Sequence, residues 1–120
     1  MIKLENVNKY YGDHHVLKDV NLEVREGEKL VIIGPSGSGK STTVRCMNFL
    51  ETPNSGHVYI DGEEMTARNK TLLVRRTTSM VFQQFNLYPH MTVLKNLVLA
   101  PMKLHHKSRE EAEELAWHYL

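Results

Sequence analysis

The chain has little cysteine, little excess charge and no long apolar run, and each shortage excludes a class of protein. One cysteine, Cys46, excludes an intramolecular disulfide framework and fits a reducing compartment. The 15 basic and 14 acidic residues give no basic excess of the kind that favours nucleic-acid binding. No segment approaches about 18 uninterrupted apolar residues, so no membrane-spanning helix is predicted. The alternating start, Met1–Glu5, lacks the apolar core of a secretory signal.

The length of 120 residues limits the chain to at most one domain. Cys46 lies in a segment with helical spacing, where a packed and inert thiol is more common than a nucleophile. Two adjacent histidine pairs, His14-His15 and His105-His106, lack the helical spacing of ligand pairs. No metal site is predicted from them.

A glycine-rich stretch is the most informative part of the sequence. Residues Gly34 to Ser41 read Gly-Pro-Ser-Gly-Ser-Gly-Lys-Ser and fill every fixed position of the phosphate-binding pattern G-x-x-x-x-G-K-[ST]. The apolar, β-branched run Leu30–Ile33 precedes it and predicts a buried parallel strand. The segment Ser41–Leu50 follows and contains no proline or glycine, which favours a helix. This order of strand, loop and helix is typical of a nucleoside triphosphate site rather than of a chance turn.

Each residue type in the loop has a physical reason to be there. Glycine adopts positive φ at little cost, so the loop N–H groups can turn inward around an anion. Lys40 supplies a cation for the β- and γ-phosphates, Ser41 offers a hydroxyl to Mg²⁺, and Thr42 adds a phosphate contact. The predicted phosphate-binding residues are Gly34, Pro35, Ser36, Gly37, Ser38, Gly39, Lys40, Ser41 and Thr42.

The rest of the sequence predicts an α/β protein. The predicted strands are Ile2–Val7, Val16–Val24, His57–Ile60 and Thr78–Phe82, and the predicted helices are Arg68–Arg76, Thr92–Leu99 and a segment capped by Ser108. Pro101 is expected to end the helix that precedes it. Asp61-Gly62 follows an apolar strand, which fits either a hairpin turn or the acidic metal ligand of a nucleotide hydrolase, and the hairpin is favoured.

Four segments together resemble the ATP-binding subunit of ABC transporters: Asn8–Gly12, Val16–Val20, Gly34–Thr42 and Met80–Gln84. The resemblance covers essentially the whole chain and implies a P-loop NTPase core with an antiparallel β-subdomain and the start of a helical subdomain. Residues 1–120 are then expected to be the N-terminal part of an ABC-type nucleotide-binding domain. The chain is expected to be truncated, because the family's signature sequence, its acidic strand and its switch histidine are missing.

Two further segments, Arg45–Glu51 and Gln83–Thr92, are similar to those of bacterial polar amino acid importers. This implies a component that couples ATP binding and hydrolysis, with Mg²⁺, to amino acid uptake, although 120 residues alone are not expected to turn over ATP. Two alternatives stay open. One is a non-hydrolysing nucleotide-binding or interaction module, and the other is an ABC ATPase of lipoprotein release or cell division.

The resemblance also implies individual roles. Tyr11 is expected to stack on adenine and Val16 to line the same pocket, although a half-buried tyrosine at a strand end explains Tyr11 equally well from the residues alone. Lys40 is expected to act on the phosphates during catalysis. Gln83 is expected to contact Mg²⁺ and the attacking water, with Ser41 as the second metal contact.

The implied partners are ATP, membrane-spanning permease subunits and a second ATP-binding subunit. The segment Asn86–Thr92 is expected to face the permease, and the second subunit is expected to pair head to tail. No nucleic-acid partner is expected. The implied location is the cytoplasmic face of the inner membrane, reached only through the permease.

Overall fold

The computed structural model describes residues 1–120, which form two compact units, Met1–Met80 and Val81–Leu120. The first unit contains a sheet and two helices, and the second contains two helices preceded by a loop. No helix in either unit is both long and apolar enough to cross a membrane.

A four-stranded antiparallel sheet forms the frame of the first unit. Its strands are β1 (Ile2–Tyr11), β2 (His14–Val24), β3 (Ser55–Ile60) and β4 (Glu63–Glu64), in the spatial order β2-β1-β3-β4. Three of these strands were predicted, and each is longer than its predicted bounds. The predicted antiparallel β-subdomain is confirmed.

Two tight hairpins connect neighbouring strands of the sheet. Gly12 takes a φ of 60° at the first position of the two-residue turn between β1 and β2. Asp61 and Gly62 take φ values of 50° and 81° between β3 and β4, as a type I′ turn requires. The Asp61 carboxylate accepts a hydrogen bond of 2.7 Å from the Met1 ammonium group. The hairpin interpretation of Asp61 is therefore confirmed.

The apolar core of the first unit lies against the sheet. Its buried members come from strands, helices and the segment after β4: Leu4, Val7, Leu17, Cys46, Val58, Ile60, Met65 and Leu73. Burial raises the pKa of the Cys46 thiol to about 11. The prediction of a packed cysteine is confirmed, and its inertness stays a prediction that the raised pKa favours.

Two short helices complete the first unit. These are α1 (Lys40–Met47), which follows the glycine-rich loop, and α2 (Lys70–Thr77). Both were predicted, with ends that differ by a few residues. Thr42 and Thr43 of α1 are buried, and the Thr43 hydroxyl donates to the Gly39 carbonyl at 2.8 Å. This bond holds the first turn of α1 on the end of the loop.

The second unit is a pair of packed helices, α3 (Val93–Leu104) and α4 (Arg109–Tyr119). Thr92 and Ser108 cap them, because their hydroxyls accept the N–H groups of Lys95 and Glu111 at 3.2 Å. The small core between the helices contains Val98, Ala112 and Ala116 packed with Leu94.

Two predicted strands are absent from the structure. Leu30–Ile33 and Thr78–Phe82 form no ladder, and Val31, Ile33 and Val81 expose 80%, 87% and 95% of their surface. A strand exists through hydrogen bonds to a neighbour, and none of residues 1–120 pairs with either segment. The expected parallel core strand before the loop is therefore wrong for this structure, although the apolar pattern that predicted it is real.

The predicted end of α3 is also wrong. The helix continues through Pro101 to Leu104 instead of stopping at Leu99. A proline in a helix removes one backbone hydrogen bond. The apolar positions Leu94 and Val98, which pack against α4, both precede the proline.

One side chain on α3 organises the loop that precedes it. The Asn96 Oδ1 atom accepts the Tyr88 N–H at 2.7 Å, and its Nδ2 atom donates to the carbonyls of Tyr88 and Thr92 at 3.2 and 2.9 Å. The Asn96 side chain thus bonds both the N–H and the carbonyl of Tyr88, as a neighbouring strand would. No motif in the sequence predicts this contact.

Gly56→Ala is expected to destabilise the first unit by about 3 kcal/mol. A Cβ at this position would lie 2.3 Å from the Asn6 carbonyl oxygen, and Gly56 has a φ of 91°. The matched control is Gly27→Ala, at a φ of 76° with no atom within 4 Å of the added carbon, which should cost only about 1 kcal/mol. Chemical denaturation measures both, and equal losses would contradict the steric argument.

Asn96→Ala is expected to accelerate hydrogen exchange of the Tyr88 amide several-fold, because the acceptor of that N–H is removed. Asn96→Asp is the matched control. It keeps an oxygen acceptor for Tyr88 while it loses both donors, so the Tyr88 amide should stay protected. Exchange followed by NMR decides this, and unchanged protection in the alanine variant would show that Asn96 does not hold the loop.

Candidate functional site

A cleft of about 350 Å³ opens on the first unit, between the β1–β2 turn and the start of α1. Its lining residues come from the two strands, the glycine-rich loop and the first turn of the helix: Tyr11, His14, Val16, Ser36, Gly37, Gly39, Lys40, Ser41 and Thr42. All but one of them belong to the set that the sequence predicted. The cleft thus joins the predicted phosphate residues to the predicted base residues in one place.

The glycine-rich loop has the left-handed backbone that its sequence predicts. Gly37 and Gly39 have φ values of 80° and 97°. Within the loop, the Ser38 N–H donates to the Pro35 carbonyl at 3.2 Å, and a Cβ on Gly34 would lie 2.9 Å from the Ser38 Oγ atom. Gly34, Pro35 and Ser38 therefore shape the loop without lining the cleft.

The start of α1 presents free N–H groups to the cleft. Gly39 is the N-cap residue, and no side chain caps the helix and no acid lies in its first turn. The first turn of an α-helix has no carbonyl partners for its amides, so the N–H groups of Lys40, Ser41 and Thr42 are left without internal acceptors. Together with the helix dipole they make the site favourable for an anion.

Lys40 is the only acidic or basic residue, histidine aside, that lines the cleft. Its Nζ atom donates to the carbonyl oxygens of Gly34 and Pro35, the latter at 2.9 Å. The ammonium group therefore lies across the loop at the phosphate end of the site. With no carboxylate among the lining residues, the fixed charge of the cleft is positive, which attracts an anionic ligand.

The other wall of the cleft is aromatic. Tyr11 and His14 are register partners across the β1–β2 turn, and both line the cleft. Residues directly opposite each other in a ladder share one face of the sheet. The neighbouring pair, Tyr10 and His15, faces the other way and stacks at a ring-centroid distance of 4.0 Å. The structure thus separates the two adjacent tyrosines and places Tyr11, not Tyr10, in the cleft.

His14 is the one lining residue that the sequence did not indicate as part of the site. The sequence could have indicated it, because a two-residue turn at Gly12-Asp13 places His14 opposite Tyr11. The structure contains no cluster of three acidic, histidine or cysteine side chains that could hold a metal ion.

Mg²⁺ fits this donor set only in company with a nucleotide. Ser41 supplies a hydroxyl in the cleft, and no carboxylate lines it. Mg²⁺ commonly keeps several waters and binds through one or two protein oxygens together with substrate phosphates. The residues therefore fit a metal that arrives with a triphosphate.

The remaining predicted residues belong to the second unit. Gln83 is exposed and lies in a bend. Asn86 has a φ of 52°, and the segment Asn86–Thr92 contains no helix or strand. The roles assigned to Gln83 and to this segment stay predictions.

Curated proteins similar to this chain carry names of transport subunits. The chain is 66% identical over 120 residues to the probable ABC transporter ATP-binding protein PEB1C of Campylobacter jejuni, and the match covers 100% of this chain and 50% of that protein. It is 56% identical over 121 residues to the glutamine transport ATP-binding protein GlnQ of Geobacillus stearothermophilus, again covering 100% and 50%. The chain spans about half the length of the curated relatives it matches.

Solved structures agree with the fold. The chain superposes on the ATP-binding cassette MJ0796, in a dimeric post-hydrolysis state bound to ADP and Pi, with a TM-score of 0.86 and 39% sequence identity. The match covers 98% of this chain and 55% of that one. The predicted α/β fold class is confirmed.

The family model described as ABC transporter matches residues 17–119, a range that includes the glycine-rich loop and Gln83. The resemblance predicted from the four sequence segments is thereby confirmed. From the cleft, the fold and this match together, the chain belongs to the ABC transporter family.

Proposed function

We propose that this chain is the nucleotide-binding part of an ABC transport ATPase that drives uptake of polar amino acids. The observation that carries the proposal is the cleft, which brings Tyr11 and Val16 together with Lys40, Ser41 and Thr42. ATP is the proposed ligand, since a ring at one end and a cation with free amides at the other match a base and its phosphates.

The phosphate end is proposed to act through fixed electrostatics. The loop amides, the N-terminus of α1 and the Lys40 ammonium group surround the place where negative charge would lie. Donors held in place before the ligand arrives need no reorganisation, which is what phosphoryl transfer requires of a protein. Ser41 is proposed to contact Mg²⁺ and Thr42 a phosphate oxygen.

The base end is proposed to act through stacking. Tyr11 lines the cleft and 44% of its surface is exposed, and Val16 adds an apolar side chain to the same lining. Stacking of a base on an aromatic ring contributes about 1–3 kcal/mol and needs no hydrogen-bond partner. We propose adenine as the base, because the relatives are named as ATP-binding proteins.

The substrate class rests on the relatives. The general L-amino acid transport ATP-binding protein AapP of Rhizobium johnstonii is 51% identical, and GlnQ is named for glutamine. These names favour amino acid import over lipoprotein release and cell division.

The proposed partners are permease subunits and a second ATP-binding subunit. Phe85 and the segment Asn86–Thr92 are exposed apart from the half-buried Met91, and Phe85 exposes 93% of its surface. An exposed aromatic side chain on an organised loop suits docking to another protein. The structurally similar cassette MJ0796 is dimeric, which supports pairing with a second subunit. We place the assembly on the cytoplasmic face of the inner membrane, attached through the permease.

Binding without turnover is the proposed behaviour of these 120 residues by themselves. No carboxylate lines the cleft, so no acidic ligand helps hold the metal and no acidic base is available to a water molecule there. Gln83 is proposed to contact Mg²⁺ and the attacking water in the complete ATPase. A nucleotide-binding module without hydrolysis thus remains the second candidate function.

Lys40→Ala is expected to weaken MgATP binding at least about tenfold, because the one cation at the phosphate end is lost. Lys18→Ala, an exposed lysine on β2 outside the cleft, is the matched control and should leave the affinity unchanged. Isothermal titration of the purified chain measures both. An equal response of the two variants would refute phosphate binding by Lys40.

The purified chain, saturated with MgATP, is expected to release phosphate no faster than its Lys40→Ala variant. The reason is the lack of a carboxylate in the cleft. A coupled phosphate-release assay measures the rate. Turnover that depends on Lys40 would contradict the expectation and would assign hydrolysis to these residues alone.

A further inference from the structure

Lys9 contacts the ring of Tyr11, although it has no part in the cleft. The two residues are separated by one position on β1, so their side chains emerge on the same face of the strand. The Lys9 Nζ atom lies 5.3 Å from the centroid of the Tyr11 ring. An ammonium group within about 6 Å of a ring centroid is attracted by the ring quadrupole.

The ammonium group of Lys9 is fixed from a second direction. It donates to the Thr52 carbonyl at 2.9 Å and lies 3.5 Å from the Glu51 carboxylate. Only 14% of the Lys9 side chain is exposed. Both partners belong to the segment that follows α1, so the cation is held in place before any ligand binds.

Tyr11 is the link between this cation and the cleft. Tyr11 lines the cleft and Lys9 does not. Lys9 can therefore affect a bound ligand only through its contact with the Tyr11 ring. A half-exposed tyrosine at a strand end otherwise loses rotamer freedom when a ligand stacks on it. A ring that is already oriented binds with a smaller entropic loss.

We propose that Lys9 is a positioning residue for the nucleobase, which orients the Tyr11 ring by a cation–π contact and thereby strengthens stacking. The inference rests on the proposed function, that the cleft binds ATP. It adds a residue from outside the cleft and connects the base platform to the segment at the end of α1. The competing explanation is a strap between β1 and that segment, which stabilises the fold without regard to the ligand.

The test compares two ligands on the 120-residue chain, MgATP and magnesium tripolyphosphate, of which only the first has a base. Lys9→Met is expected to weaken ATP binding about threefold to tenfold and to leave tripolyphosphate binding unchanged. Lys9→Arg keeps a cation and should stay within about twofold of the unmodified chain. If Lys9 only links β1 to the segment after α1, Lys9→Met would instead lower the stability of the fold and change the affinities for both ligands equally.

Lys3→Met is the matched control on the same strand. The Lys3 Nζ atom lies 5.9 Å from the Tyr59 ring centroid, and neither residue lines the cleft. This variant removes an equivalent cation–π contact at a distance from the site. It should change the affinity for neither ligand.

A double-mutant cycle isolates the contact itself. In a Tyr11→Ala background there is no ring to orient, so Lys9→Met should cause no further loss of ATP affinity. If Lys9→Met does not melt cooperatively, Lys9→Gln, which keeps a donor without the charge, takes its place with the same expectations. Thermal melts of each variant accompany the titrations.

The outcomes separate this inference from the proposed function. Unchanged ATP affinity in a folded Lys9 variant, equal losses for both ligands, or a full additional loss in the Tyr11→Ala background would overturn the role of Lys9. If the unmodified chain binds ATP and Lys40→Ala does not weaken that binding, the assignment of the phosphate site would be overturned. Failure of the unmodified chain to bind ATP would overturn both.

Discussion

The close approach of Gly39 to β2 is the constraint on which the cleft depends. A Cβ on this residue would lie 3.1 Å from the Leu17 Cδ2 atom and 3.3 Å from the Val16 carbonyl oxygen. The same glycine begins α1 with a φ of 97°. One residue therefore sets both the direction in which the helix leaves the loop and its distance from the strand that carries Val16. Since α1 and β2 form opposite sides of the site, the width of the cleft follows from the absence of a side chain at Gly39.

The two ends of the cleft rely on different interactions, and the β1–β2 hairpin places the base end beside the phosphate end. The phosphate end relies on backbone N–H groups and on the Lys40 charge, whose strength falls with ionic strength. The base end relies on the Tyr11 ring, whose contribution depends on area and orientation instead. A strand ending in an aromatic residue, next to a tight turn, places that ring at the rim of the site without any loop of its own. The paired strands thus fix the position of the aromatic ring on which the base end depends.

The parts of the fold that sequence predicted are those whose signals are local. Glycines with positive φ in the loop Gly34–Ser41 and in the Asp61-Gly62 turn could be recognised because φ is a property of the residue itself. The strand predicted at Leu30–Ile33 failed because a strand depends on a neighbour, and local apolarity does not reveal whether that neighbour is present. Asn96 bonds Tyr88 and Lys9 bonds Thr52. Neither pair forms a sequence motif, so neither contact was predicted. At the site, the loop and Tyr11 were indicated by pattern and resemblance, whereas His14 required the register of the sheet.

The burial of Cys46 gives the helix at the phosphate end a reporter of its own motion. Its side chain is fully buried and burial raises the pKa of the thiol to about 11, so we expect an alkylating reagent to react with it only after local opening. Labelling requires α1 to separate from the sheet, and its rate therefore measures how often this happens. Because the chain has a single cysteine, the signal comes from one place. Any ligand that holds the helix to the loop would slow the modification, and the ratio of the rates with and without that ligand would measure the stabilisation without a cysteine introduced by mutation.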